Sequence, residues 1–171
     1  KETNHEINMI IINNKINLGK SASLHCGIKI ARGNFTTIHD ADLEYDPKDL
    51  VRMYNLINNN KDLDSVYGSR YLNKTKKNKQ KKIYYIANLL NLTLFNFFFN
   101  SNLSDLHSCY KIFKNNILKK FNLKEKRFGF ELEVSTLVIS NKLNMKEIPI
   151  FYNARSKDLG KKYLLLMKLN F

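Results

Sequence analysis

Hydrophobic positions along this chain change their period several times, and each change marks an element. Residues 7–12, Ile-Asn-Met-Ile-Ile-Ile, form a short apolar run rich in β-branched side chains, the pattern of a buried strand. Asn13 and Asn14 end it. After Asn17-Leu18-Gly19-Lys20, apolar residues recur at Leu24, Ile28 and Ala31, a helical spacing with Ser21 as a cap and Gly33 as the stop. Residues 35–39 read as a second strand that runs into the acidic cluster Asp40, Asp42, Glu44 and Asp46, which therefore lies on a loop at a strand's carboxyl end. Asp46-Pro47 predicts a helix start, because Asp46 caps free N–H groups and Pro47 takes the first helical position without losing a needed donor; the helix should run to about Asn58. Residues 65–67 are a third strand, followed by Gly68-Ser69-Arg70. This alternation predicts an α/β domain with a mostly parallel sheet and flanking helices, in which ligands gather at the carboxyl ends of strands.

From residue 74 the texture changes. Lys74, Lys76, Lys77, Lys79, Lys81 and Lys82 form a charged run without apolar periodicity, expected as an exposed basic loop over 74–82. Residues 83–99 follow as an unusually apolar helix whose Asn88, Asn91 and Asn96 fall within about 140° of one another at about 100° per residue. It is short for a membrane span and interrupted by polar residues. Two readings stand: an amphipathic helix on a membrane surface beside its lysines, or a helix buried against the sheet. Residues 110–113 are expected as a strand, 114–120 as a short helix, 130–139 as a helix, and 145–152 as a last strand whose Pro149 suggests a sheet edge.

Composition narrows the classes. The 171 residues are 43% hydrophobic and 26% charged, which suits one globular domain with a real core and excludes disordered and collagen-like chains. A net charge of +14 favours a polyanionic partner: nucleic acid, anionic lipid or a phosphorylated substrate. Cys26 and Cys109 have neither zinc spacing nor a CxxC arrangement, so they read as reduced thiols in a cytosolic setting. The chain starts at Lys1 with no charged-then-apolar leader after it.

Asp40-Ala41-Asp42 carries the most specific chemistry. An Asp-x-Asp on a loop after a strand puts two carboxylates on one hard divalent ion, Mg²⁺ or Mn²⁺, which keeps its other positions for water and diphosphate oxygens. A merely solvated acidic loop gives the same local pattern. The wider order of motifs resembles family 2 glycosyltransferases of the GT-A (Rossmann-like) fold, most of all polyprenyl-phosphate sugar transferases of the dolichyl-phosphate mannosyltransferase type. The likeness rests on Asn17-Leu18-Gly19-Lys20, Asp40-Ala41-Asp42-Leu43-Glu44-Tyr45-Asp46-Pro47, Tyr67-Gly68-Ser69-Arg70, Leu103-Ser104-Asp105-Leu106, Cys109-Tyr110-Lys111-Ile112-Phe113, Phe128-Gly129-Phe130-Glu131, Glu147-Ile148-Pro149-Ile150 and residues 152–155. It covers residues 10–162, leaving 163–171 as a divergent tail.

The resemblance implies transfer of a hexose from a nucleotide diphosphate sugar to a polyprenyl phosphate, metal-assisted and inverting, at the cytoplasmic face of a membrane. It implies Asp40, Asp42 and Glu44 as metal ligands and Lys20, Asp40, Ala41 and Asp42 as donor contacts. It further implies Ser69, Arg70 and Arg155 near the acceptor phosphate and Asp105 at the catalytic-base position, or, because a phosphate acceptor is already anionic, in an electrostatic role. A helix cap is the structural alternative for Asp105, a salt bridge for the two arginines, and a solvated side chain for Lys20. Two strands with which the family begins, bearing part of the nucleotide pocket, have no counterpart here, so an open sheet edge is expected. The other classes weighed are a basic nucleic-acid-binding module, ranked lower for want of a recognition element, and a non-catalytic membrane-surface protein.

Overall fold

The computed structural model describes residues 9–72 and 82–154; residues 7–8 of the first expected strand, lysines 74–81, Arg155 and the tail lie outside the described residues. Local signals act as expected at Asp46 but not at Ser21 or Gly33: Ser21 lies inside the first helix, its hydroxyl donating to the Arg127 carbonyl at 2.8 Å, and that helix ends at Ile30, three residues before Gly33. Helix α1 (Lys20–Ile30) follows Gly19, where a φ of 88° and the Lys126 carbonyl oxygen, which a Cβ would meet at 2.6 Å, exclude a side chain. Strand β1 is Phe35–Thr37. Helix α2 (Pro47–Asn59) starts where Asp46 Oδ1 accepts the Lys48 N–H at 2.9 Å. Strand β2 (Ser65–Ser69) is buried at all five positions. Then come α3 (Lys82–Phe99), β3 (Lys111–Lys114), α4 (Asn115–Leu118), α5 (Phe130–Ser140) and β4 (Met145–Pro149).

The four strands make one sheet in the order β1-β3-β2-β4. Only β2 and β4 run parallel; β3 is antiparallel to both β1 and β2, so the sheet is mixed rather than mostly parallel. The cause lies after α3: residues 100–110 bring the chain back to the carboxyl edge it left at Ser69, where Gly68 N–H donates to Tyr110 O at 2.8 Å, and β3 must then run away from that edge. β4 is an edge strand, consistent with Pro149 at its end. β1 forms the other edge among the described residues, beside a groove of about 500 Å³ lined by Phe35, Leu50 and Tyr54. The expected strand at 7–12 is not seen in its described part: residues 9–12 join no ladder, and Met9 and Ile11 are about four-fifths exposed. A β-branched run becomes a strand only where a sheet edge receives it.

Alternation along the strands splits the core in two. Tyr67 and Phe113 point to the face covered by α1, α3 and α5, with Ile28, Phe95, Phe130, Val134 and Val138. Val66 and Ile112 point to the face covered by α2, with Met53, Ile57 and Ile150. Two packed faces leave the carboxyl edge as the place where irregular backbone collects.

Candidate active site

Because β3 is antiparallel, its first residue adjoins the last residues of β1 and β2. The loops 38–46, 70–72, 104–110 and 150–153 therefore meet at one edge. Gly68 makes that meeting possible: a Cβ there would stand 2.7 Å from Ile150 Cγ2 and 3.2 Å from Tyr110 Cβ.

At the centre lies a buried ion pair. Arg70 Nε donates to Asp105 Oδ2 at 2.7 Å, Nη2 to Oδ1 at 2.8 Å, and the Arg70 N–H to Oδ2 at 3.0 Å. Burial alone would raise the Asp105 carboxyl, but the Arg70 guanidinium and its hydrogen bonds outweigh it and hold the carboxyl below its usual range. Asp105 caps no helix, and Arg70 forms no surface bridge; each is the other's partner. Glu147 fixes the loop from below by accepting the Ser104 and Asp105 N–H groups at 2.8 and 3.3 Å. The Ser69 hydroxyl is fully buried, accepts from the Tyr71 N–H and lies 2.7 Å from Ser104 Oγ, so it is committed inside the fold. Arg155, assigned to the same region by resemblance, lies outside the described residues.

Asp40 and Asp42 sit on the loop after β1. Lys20 Nζ donates to Asp40 Oδ2 at 2.9 Å and to Glu131 Oε1 at 2.8 Å, tying the start of α1 to the acidic loop and to α5. Burial would lower the Lys20 ammonium, yet Glu131 and Asp40 together raise it well above its ordinary value. Lys20 is thus clamped rather than solvated, while Glu133, on another side of α5, accepts the Lys124 and Glu125 N–H groups. Asp42 Oδ1 accepts the Glu44 N–H at 3.1 Å. Ala41 is the exposed residue between them.

Glu44 does not join the two aspartates: it is buried and its Oε2 accepts from the Tyr152 hydroxyl at 2.7 Å. The bridge between Tyr45 and Tyr152 draws it inward, and among the described residues no three His, Cys, Asp or Glu side chains converge on one point. What fits a divalent ion is the donor chemistry of Asp40 and Asp42, two hard oxygen ligands two residues apart, with the Asp40 side chain one-third exposed. Such a pair suits an ion that completes its sphere with water and diphosphate oxygens.

Several further neighbours complete the edge. Tyr45 stacks on Tyr110 at 4.6 Å between centroids and packs on Tyr152 at 5.1 Å, while Arg70 lies 5.1 Å over the Tyr152 ring. His39 Nδ1 meets the Tyr110 hydroxyl at 2.8 Å, a packing role rather than a ligand's. Lys111, fully buried, donates to the Leu106 and Ser108 carbonyls; burial pulls it down to about 8, against the pull of Glu131 and Asp105. Cys109 is pushed up to about 12 by burial, an inert thiol. His107 lines a small cavity with Asp105, Tyr71 and Asn88; its Nε2 is buried without a hydrogen-bond partner, and burial and then Arg70 lower its ring. Tyr45, Cys109, Tyr110, Lys111 and Tyr152 belong to motifs that carry the resemblance, His39 reads as a packing residue and His107 has no ligand spacing; what the sequence does not show is that they meet.

Comparison with known proteins gives a consistent result. The family model described as "Glycosyl transferase family 2" matches residues 2–121. The chain is 26% identical over 128 residues to the low-salt glycan biosynthesis hexosyltransferase Agl6 of Haloferax volcanii, a match covering 74% of this chain and 31% of that protein. It is 38% identical over 63 residues to an uncharacterised glycosyltransferase of Methanocaldococcus jannaschii, covering 37% of this chain and 22% of the relative. Its fold matches crystal structures of glucosyl-3-phosphoglycerate synthase from Mycobacterium tuberculosis. The complex with Mn²⁺, uridine-diphosphate and glucosyl-3-phosphoglycerate superposes with a TM-score of 0.58 at 11% identity over 82% of this chain and 49% of that one. The complex with Mn²⁺, UDP-glucose and glycerol 3-phosphate gives 0.55 at 13%. The chain spans about half the length of these structures and less than a third of either curated relative.

Proposed function

This chain belongs to glycosyl transferase family 2 with a GT-A-type α/β fold, and on that premise we propose that it is the catalytic region of a hexosyltransferase. It takes a hexose from a nucleotide diphosphate sugar and delivers it to a polyprenyl phosphate at the cytoplasmic face of a membrane. The observation that supports this reading most is the meeting, at one sheet edge, of the Asp40-Ala41-Asp42 loop with the Arg70–Asp105 pair. The mycobacterial neighbour is crystallised with Mn²⁺, UDP-glucose and glycerol 3-phosphate, a nucleotide sugar together with a phosphate-bearing molecule.

In the proposed reaction an oxygen of the acceptor phosphate forms a bond to the anomeric carbon as the bond from that carbon to the diphosphate breaks, and the nucleoside diphosphate leaves from the opposite side. Asp40 and Asp42 would hold Mg²⁺ or Mn²⁺, which when bound neutralises the departing diphosphate. Lys20, fixed by Glu131, sets Asp40's position and adds positive charge beside the donor. A phosphate nucleophile needs no proton removed, so Asp105 acts by holding Arg70 charged and oriented, and Arg70, with Ser69 behind it, draws the acceptor phosphate to the edge, a role in which the family resemblance also puts Arg155.

The test is Asp42→Ala in the full chain, with labelled hexose counted in the lipid extract. Loss of about two orders of magnitude or more is expected, together with loss of nucleotide-dependent Mn²⁺ binding by paramagnetic resonance. Wild-type transfer by the variant would refute the proposal.

A further inference from the structure

Helix α3 is amphipathic the wrong way round for a soluble protein. Placing residues at about 100° apiece puts Ile83, Ile86, Leu90, Leu94, Phe97 and Phe98 in one arc of about 120°, opposite Phe95, Asn88 and Asn96. A helix covering a core would turn that arc inward. Here Phe95 packs in the core, Asn96 Nδ2 donates to the Leu103 carbonyl at 2.9 Å and its Oδ1 accepts from Ser101, and Asn88 lines the cavity beside Asp105. The apolar arc faces out: Ile86, Leu90, Phe97 and Phe98 are between 60 and 79% exposed. No described helix is long and apolar enough to cross a membrane.

We infer that the outward face of α3 lies in the interface of an anionic lipid bilayer, its axis along the surface. Charge selects the occupant. A second copy on the same face would bring two chains of +14 together. An anionic surface is instead drawn to the protein, each basic residue near it contributing favourably, and five lysines precede Lys82 within nine residues of sequence. Buried apolar area plus attraction to anionic headgroups is what holds a helix in this position. The inference rests on the proposed acceptor only for why this edge should meet lipid: the same helix lends Tyr85, Asn88 and Leu92 to the cavity beside Asp105, so docking brings the acceptor end of the site to the headgroups.

The chain contains no tryptophan, so Phe97→Trp is a single reporter. With phosphatidylglycerol-containing vesicles its emission should move to the blue and be quenched by acyl-brominated lipid, whereas Tyr54→Trp on α2 should do neither. Binding should weaken with salt. Phe97→Ser with Phe98→Ser should lower vesicle sedimentation at least about tenfold, with circular dichroism and nucleotide-sugar binding unchanged. Those last readouts keep failure here distinct from failure of the transfer proposal. Absence of vesicle binding, an unquenched Phe97→Trp, or concentration-dependent dimerisation that protects this face would overturn the inference.

Discussion

Two regions that touch at the carboxyl edge treat polarity in opposite ways. Around β2 and β3 the fold buries charge: Arg70, Asp105, Lys111 and Glu131 are all at most 9% exposed. In α3, which lies between these strands in the chain, it exposes the apolar residues and turns asparagines inward. Burial in this molecule thus follows what each surface must meet, not the hydropathy of its side chains. Full pairing is the condition on which a buried charge persists, and an outer phase of low polarity is the condition on which an exposed apolar arc does.

Breaking the buried pair should have as large an effect as any single substitution in the molecule. Asp105→Ala leaves the Arg70 guanidinium in the interior without its bidentate partner, and a cost of about 3–5 kcal/mol is expected from urea unfolding. The Arg70→Met, Asp105→Leu double variant should recover much of this, because removing both charges also removes their desolvation. A cost below about 1 kcal/mol for Asp105→Ala would mean that the Arg70 guanidinium does not depend on Asp105 for its pairing.

Lys111 tests the same region through pH. Its folded value lies near 8 against 10.5 when unfolded, so between those limits the unfolded chain binds more protons. Stability from this group therefore rises with pH from about 8 to about 10.5, the reverse of a lysine that gains a partner. Urea unfolding of wild type and Lys111→Met at pH 7 and pH 10 should show the difference moving by about 2 kcal/mol in favour of wild type. A constant difference would show that Lys111 is hydrated. Gly68→Ala comes next, at about 1–3 kcal/mol, since its methyl would press on Ile150 and Tyr110 where β2, β4 and the 104–110 loop close the site.

Legibility in the sequence divides along similar lines. Asp46-Pro47 located α2 to within a residue because a cap and a fixed φ act within one turn. The acidic loop was placed after a strand for the same local reason. What sequence reading missed depends on distance: the direction of β3 is set by where the chain returns after α3, and the Arg70–Asp105 pair joins residues 35 apart. The inward turn of Glu44 depends on Tyr152, 108 residues later. For α3 the two faces could be read, but not which one the protein keeps. Asn96 decides that, since its amide finds both Leu103 and Ser101 only when it points in.

The smallest effect sharpens the contrast most. Phe97 and Phe95 are chemically identical and two positions apart on one helix, yet Phe95 is 4% exposed and Phe97 79%. Phe95→Ala should cost about 3–5 kcal/mol through lost transfer energy and a cavity. Phe97→Ser should fall within about 0.5 kcal/mol of wild type in lipid-free buffer, because the side chain leaves no cavity and the two residues differ little in helix propensity. Both are read from urea midpoints in dilute protein. If Phe97→Ser cost as much as Phe95→Ala, protein would already cover the outward face of α3, and lipid would have no exposed arc to meet.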